Sequence, residues 1–209
     1  MLVKICGIQT IDSAQAAVEA SADYIGLVFA ESKRKVSIEQ ARDIKESLSD
    51  SAVKVVGVFR HQPLAEVNQI SQAVRLDYVQ LHGDETLEEC RQLNTPLIKA
   101  LSFNKISQAI LYQDVAEYIL IDSPKPGSGE PFDWSAFKNE ELMIPFFLAG
   151  GLSPENVKEA IQQVKPIGVD VSSGVETNGQ KDNEKIRQFT HQAKQIKETI
   201  SERRNDNND

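Results

Sequence analysis

The stretch "PFFLAGGLSPENVKEAIQQVKPIGVDVSSG" (145–174) carries the pattern that decides the fold. Its outer parts, "PFFLAG" and "IGVDVS", are short apolar runs of strand-forming residues with glycine nearby. The segment between them, 153–164, repeats its apolar residues at helical spacing and begins with Ser153, which we expect to cap the helix. A strand, a helix and a second strand in this order predict a parallel βαβ unit.

The same pattern extends toward the start of the chain. Six further short runs have strand composition, and helical patterns separate them: "LVKIC" (2–6), "YIGLVF" (24–29), "VKVVGVF" (53–59), "YVQLH" (78–82), "PLIKAL" (96–101) and "YILID" (118–122). Eight strand-then-helix units predict an α/β fold, a closed (β/α)8 TIM barrel with eight parallel strands. The alternative is an open, doubly wound sheet with fewer strands.

Length and composition agree with one domain. The chain has 209 residues, of which 40% are hydrophobic, and this is enough for a single core of ordinary size. No linker or shift in composition divides residues 1–201, which we expect to form the barrel domain. The polar stretch "ERRNDNND" (202–209) is expected to be a disordered tail.

Charge and cysteine content restrict the environment of the protein. The net charge of −8 disfavours binding to nucleic acid or to anionic lipid. No apolar run approaches the roughly 20 residues of a membrane span, and the N-terminus lacks the pattern of a signal peptide. The two cysteines, Cys6 and Cys90, form no metal-binding pattern and suit a reducing compartment. We therefore expect a cytoplasmic protein without metal, nucleic-acid or membrane partners.

In a TIM barrel the active site lies at the C-terminal ends of the strands, and the first strand ends on a cysteine. Lys4 and Cys6 share one face of this strand, which we expect to point toward the barrel axis. A buried lysine there needs a partner or a ligand. Cys6 is either a small buried apolar residue or a reactive thiol whose thiolate fraction Lys4 increases.

The sixth strand ends on a carboxylate. Asp122 closes "YILID" and precedes the loop "SPKPGSGEPFDW" (123–134). A helix-capping role is one interpretation, but Pro124 follows and no helix pattern begins there. The other interpretation is an active-site acid beside a glycine-rich lid.

Two glycine-containing turns and one arginine predict anion binding. The turns "AGGLSPENV" (149–157) and "DVSSGVE" (170–176) follow strands seven and eight, where barrels of this class often bind phosphate. Their glycines are alternatively needed only for tight turns. In "SKRK" (32–35), Arg34 is the candidate for two-pronged contact with a carboxylate, unless the run is a solvated loop. His82 in "QLHGDE" either bonds locally or contacts substrate.

Taken together, these motifs resemble the phosphoribosylanthranilate isomerase family of tryptophan biosynthesis. The similar stretches follow one another along nearly the whole chain: "KICGI" (4–8), "GLVFAESKRKVS" (26–37), "VQLHGDE" (79–85), "LIDSPKPGSGEPFDW" (120–134), "AGGLSPENV" (149–157) and "GVDVSSGVETNGQKD" (168–182).

The resemblance implies a cytoplasmic TIM-barrel isomerase that needs no cofactor. Its reaction would be the Amadori rearrangement of N-(5-phosphoribosyl)anthranilate to 1-(2-carboxyphenylamino)-1-deoxy-D-ribulose 5-phosphate, with Cys6 as general base and Asp122 as general acid. The substrate-binding residues that we expect are Arg34 for the anthranilate carboxylate, the turn residues Gly150, Gly151, Ser173 and Gly174 for the phosphate, and the strand-end residues His82 and Asp170.

One segment departs from the family pattern, and two other functions stay open. In the loop after Asp122, Pro126 replaces the first glycine of the family's run, and Glu130 occupies a position that is often lysine. The alternatives are indole-glycerol-phosphate synthase, which would need further catalytic Lys and Glu residues at strand ends, and a non-catalytic phosphate-binding barrel. A monomer and a homodimer are both compatible with the sequence.

Overall fold

The structure, a computed structural model, describes residues 1–124, 134, 137, 142 and 144–196. Eight parallel strands form a closed barrel in chain order, and β8 pairs with β1. The (β/α)8 barrel is therefore confirmed, and the open sheet is excluded. The lid positions Pro126 and Glu130 and the tail 202–209 lie outside the described residues.

All eight strands lie where the sequence predicts them. Their bounds are β1 Leu2–Cys6, β2 Tyr24–Val28, β3 Lys54–Phe59, β4 Tyr78–Leu81, β5 Leu97–Ser102, β6 Tyr118–Asp122, β7 Phe146–Leu148 and β8 Gly168–Val171. After β8, the strands β9 (Glu176–Thr177) and β10 (Gln180–Lys181) form a small antiparallel hairpin. This hairpin is an addition to the barrel that the strand count did not predict.

The helices alternate with the strands. Their bounds are α1 Ile11–Glu19, α2 Ile38–Glu46, α3 Leu64–Val74, α4 Leu87–Cys90, α5 Val157–Val164 and α6 Asn183–Lys194, with 3-10 turns over Phe103–Tyr112 and Ser173–Val175. Ser37 and Gln40 form the predicted capping box of α2. In the described residues, no helix is long and apolar enough to cross a membrane.

The predicted cap of α5 is wrong. The helix begins at Val157, and Asn156 precedes it. The Oδ1 atom of Asn156 accepts a hydrogen bond of 2.8 Å from the backbone N–H of Ser153, while its Nδ2 donates to the carbonyl of Gly151. The amide thereby closes a separate turn over 153–156, and this turn joins the helix to the glycine loop.

An aromatic cluster, which we call the aromatic plug, closes the N-terminal end of the barrel. Tyr24, Tyr78 and Tyr118 are the first residues of β2, β4 and β6, and Phe147 of β7 completes the cluster with ring centroids 5.4 to 6.4 Å apart. The corresponding position on β8 is Gly168, where a Cβ atom would lie 2.4 Å from the Phe147 ring. The ring of Phe147 thus fills the space that the glycine leaves.

Candidate active site

At the opposite end of the barrel, β1 and β8 contribute a buried ion pair. Lys4 is fully buried, and its Nζ lies 2.7 Å from Oδ1 of Asp170. Barrel closure makes β1 and β8 neighbours, and their register aligns these two residues. Burial disfavours the Lys4 ammonium, but Asp170 and Cys6 outweigh this effect and raise the pKa of Lys4. The partner that Lys4 was expected to need is Asp170.

The Cys6 thiol lies beside this pair and is nearly fully buried. Gly26 faces it on β2, and a Cβ atom there would lie 2.8 Å from Sγ, so the glycine makes room for the sulfur. Burial raises the pKa of Cys6, while Lys4 favours the thiolate, as the sequence predicted. The net pKa is nonetheless raised, because burial exceeds the effect of the lysine. The thiol is therefore the favoured form at neutral pH.

Asp122 ends β6 with a buried carboxylate. Its Oδ1 accepts a hydrogen bond of 2.7 Å from the N–H of Ser123, and its Oδ2 lies 3.4 Å from Nε2 of His82. No helix begins after it in the described residues up to 124, so the capping interpretation finds no support there. Gly150 packs against Asp122 closely enough that a Cβ atom would lie 2.9 Å from Oδ1.

The two glycine turns have different local geometries. Gly150 and Gly151 both adopt positive φ, at 86° and 66°, which other residues rarely adopt. Gly174 instead permits a close approach, because a Cβ atom there would lie 1.9 Å from the carbonyl oxygen of Leu152. The glycines therefore pack the turn after β8 against the turn after β7.

A cavity of about 80 Å³ opens between these elements. The predicted site residues that line it are Arg34, Asp122, Gly150, Gly151, Asp170 and Ser173. Gly174 lies behind it, against Leu152. Among the described residues, Cys6 is not part of the lining, but it adjoins the cavity through Lys4 and Asp170. Acid, arginine and both turns thus converge on one space, as the sequence predicted for a site at the strand ends.

The fork of Arg34 is already held by a carboxylate. Its Nε lies 2.6 Å from Oε1 of Glu176 and its Nη2 lies 2.9 Å from Oε2. Lys181 binds the same Oε1 at 2.8 Å. Burial disfavours the Glu176 carboxylate, yet the two cations outweigh this effect and lower the pKa of Glu176. Arg34 is therefore a structured part of the site rather than a member of a solvated loop.

A second cavity, of about 470 Å³, lies beside β4 and β5 and includes His82 and Lys99. Lys99 is buried, and its Nζ donates to Oε2 of Glu85 at 2.6 Å and to the carbonyl of Gly83 at 2.8 Å. His82 therefore links two cavities, since it also approaches Asp122. Glu85 follows β4 in a loop, so it does not supply the strand-end glutamate that a synthase would need.

Sequence reasoning assigned no role to Glu176 or Lys181, although a turn signal points to both. In "GVETNGQKD" the pair Asn178–Gly179 is the dipeptide that favours a two-residue hairpin. Both residues have positive φ, and the hairpin aligns Lys181 with Glu176. The dipeptide predicts the hairpin, but only the folded barrel brings this hairpin next to Arg34.

A closed (β/α)8 barrel that gathers a carboxylic acid, an arginine and two glycine turns at the C-terminal ends of its strands, with a thiol adjoining them, has the architecture of the TIM-barrel enzymes. A family model for N-(5'-phosphoribosyl)anthranilate isomerase matches residues 3–192. The chain belongs to this family, whose members are enzymes of tryptophan biosynthesis.

Individual relatives are similar to this chain over most of their length. The N-(5'-phosphoribosyl)anthranilate isomerase of Oceanobacillus iheyensis is 48% identical over 194 residues, which cover 90% of this chain and 95% of that protein. The phosphoribosyl anthranilate isomerase structure from Thermotoga maritima is 39% identical, with a TM-score of 0.84 over 93% of this chain and 99% of the other. A structure of phosphoribosyl anthranilate isomerase in complex with reduced 1-(o-carboxyphenylamino)-1-deoxyribulose 5-phosphate is 38% identical with a TM-score of 0.81, over 93% of this chain and all of the other.

Proposed function

We propose that this chain converts N-(5'-phosphoribosyl)anthranilate to 1-(2-carboxyphenylamino)-1-deoxy-D-ribulose 5-phosphate, with Asp122 as general acid and Cys6 as general base. The observation that carries the proposal is the cavity that Asp122, Asp170 and Arg34 share with the two glycine turns. The reduced carboxyphenylamino-deoxyribulose phosphate bound to a relative supports the substrate class.

The substrate has an anion at each end, and the site offers a matching group for each. The turns after β7 and β8, with Gly150, Gly151 and Ser173, are the proposed phosphate site. Arg34 is the proposed partner of the anthranilate carboxylate, because three of its five N–H donors remain after its two bonds to Glu176. Fixing both ends orients the ribose between the acid and the base.

The first chemical step opens the ribose ring. The carboxyl group of Asp122 donates its proton to the ring oxygen, the bond from this oxygen to C1′ breaks, and the nitrogen lone pair forms an iminium. The acid is held in place by its hydrogen bond from Ser123. A positioned acid of this kind contributes roughly 10²- to 10⁴-fold to a rate.

The second step moves a proton from carbon. The minor thiolate form of Cys6 removes the proton from C2′, the C–H electrons form the C1′–C2′ double bond, and the iminium electrons return to nitrogen. The resulting enolamine becomes the ketone product when C1′ gains a proton and the C2′ hydroxyl loses one. Lys4 and Lys181 both favour the thiolate form, and the cationic iminium adds to them.

A fluorescence assay that follows the loss of N-(5'-phosphoribosyl)anthranilate tests the proposal. We expect turnover by the wild-type chain with no added cofactor, and we expect the ketone phosphate as the product. Phosphate binding without turnover would instead indicate a non-catalytic barrel. Consumption of the ketone product with release of carbon dioxide would indicate a synthase.

Cellular location and oligomeric state are further questions that the sequence raises. We expect a cytoplasmic location. Light scattering on the purified chain distinguishes a monomer from a homodimer.

A further inference from the structure

Two contacts hold the Arg34 side chain in place, one on its stem and one on its guanidinium. Its stem crosses Gly7, which has φ of 78°, and a Cβ atom at Gly7 would lie 2.5 Å from Cδ of Arg34. Its guanidinium is bound through two donors by Glu176, whose side chain is 6% exposed. A long, flexible side chain is thereby held from both sides. Such immobilisation removes conformational freedom before any ligand arrives.

Lys181 binds the same carboxylate as Arg34 and thereby connects Arg34 to the proposed phosphate turn. Its side chain is 5% exposed, and its Nζ donates to Oε1 of Glu176 at 2.8 Å and to the carbonyl of Ser172 at 2.9 Å. Ser172 precedes the turn that contains Ser173 and Gly174. One carboxylate and one ammonium therefore link the loop after β2 to the turn after β8.

The charges of this cluster favour its use as an anion site. Glu176 carries one negative charge against the two positive charges of Arg34 and Lys181, so the three groups leave a net positive charge. Lys33 stands 4.0 Å from the same carboxylate, with its side chain 65% exposed. The ion pair with Glu176 therefore orients Arg34 without cancelling the charge that an incoming carboxylate would meet.

We propose that Glu176, with Lys181 behind it, is a positioning residue that fixes the Arg34 guanidinium for the carboxylate of the substrate. This role rests on the proposed function. It deepens that function by assigning to the β9–β10 hairpin the orientation of Arg34, and through Arg34 the recognition of the anthranilate end. Two N–H donors of Arg34 bind Glu176, and the remaining three can bind the carboxylate of the ligand.

Two ligands separate this role from a merely structural one. The first is reduced 1-(o-carboxyphenylamino)-1-deoxyribulose 5-phosphate, and the second is the same molecule without the ring carboxylate. We expect Glu176→Gln to weaken binding of the first ligand roughly 10- to 50-fold and to leave the second within about twofold. In turnover, KM should rise by a similar factor while kcat changes less than about threefold.

Matched variants provide the controls. Gln180→Ala alters an exposed residue of the same hairpin, and we expect it to bind both ligands like the wild type. In an Arg34→Gln background, Glu176→Gln should cause no further loss, because its effect passes through the arginine. If Glu176→Gln does not fold, Glu176→Asp carries the test. It keeps the charge but withdraws the carboxylate, and we expect a loss of about 3- to 10-fold for the first ligand only.

The outcomes distinguish this role from the proposed function. Equal losses for both ligands, or unchanged affinity for the first, would overturn the role of Glu176 while wild-type turnover still supports the isomerase. Additive losses in the double variant would overturn it as well. A wild-type chain without turnover would remove the proposed function, and the role of Glu176 with it.

Discussion

The two ends of the barrel bury different kinds of side chain, aromatic at one end and charged at the other. The N-terminal end is closed by the aromatic plug, whose rings contact one another at 5.4 to 6.4 Å. The ion pairs buried toward the C-terminal end include Lys4 with Asp170, Lys99 with Glu85 and Lys181 with Glu176. Burying aromatic surface stabilises a fold, whereas a buried ion pair often stabilises it less than apolar residues of the same volume would. The comparison indicates that stability is concentrated at one end and chemistry at the other.

The largest effect should come from the C-terminal end. We expect Cys6→Ser to reduce kcat by at least roughly 10³-fold, because a serine hydroxyl is a much weaker base than a thiolate. Its unfolding midpoint in urea should change little, since the two side chains are similar in size. Steady-state kinetics, urea titration and binding of the reduced product analogue measure the three quantities. A parallel loss of activity and analogue binding with the fold intact would contradict the role of Cys6 as base.

The N-terminal end should respond in the opposite way. Phe147 is fully buried, and Phe147→Ala would leave a cavity inside the aromatic plug next to Gly168. We expect a loss of about 3 to 5 kcal/mol in the free energy of unfolding, measured by urea titration. At temperatures where the variant stays folded, its kcat should lie within about twofold of the wild type. If kcat of the folded variant fell together with its stability, the two ends of the barrel would not have separate roles in stability and catalysis.

A smaller effect on activity is expected at the acid. Asp122→Asn keeps an oxygen that can accept the hydrogen bond from Ser123, so the end of β6 should hold its shape. The amide cannot supply a proton, and we expect kcat to fall roughly 10²- to 10³-fold. A variant with the wild-type rate would show that another group protonates the ring oxygen.

The sequence predicts the barrel because each strand can be recognised from a short, continuous stretch of residues. Each strand is a short apolar run, and parallel pairing in chain order follows from the regular spacing of these runs. The residues at the strand ends were therefore identified as candidates one by one. Their placement at one end of the molecule follows from the fold class alone, and Arg34, Asp122 and Asp170 line one cavity in the structure.

Interactions between distant segments could not be predicted in the same way. Lys4 and Asp170 are 166 positions apart, and only the closure of the barrel makes them neighbours. Glu176 reaches Arg34 through a hairpin whose orientation depends on the packed turn after β8. The cap of α5 was assigned wrongly because a serine before a proline suits a helix start, while the Asn156 amide closes the preceding turn instead. In the first two cases the deciding contact is tertiary, whereas the turn that Asn156 closes is a local alternative to the serine cap.

The absence of a side chain at Gly168 makes the residue allowed at this position depend on residue 147. Because the ring of Phe147 occupies the place where a side chain on β8 would stand, a larger residue at 168 does not fit while Phe147 remains. A side chain at 168 therefore requires a smaller residue at 147, so that substitutions at these two positions depend on each other.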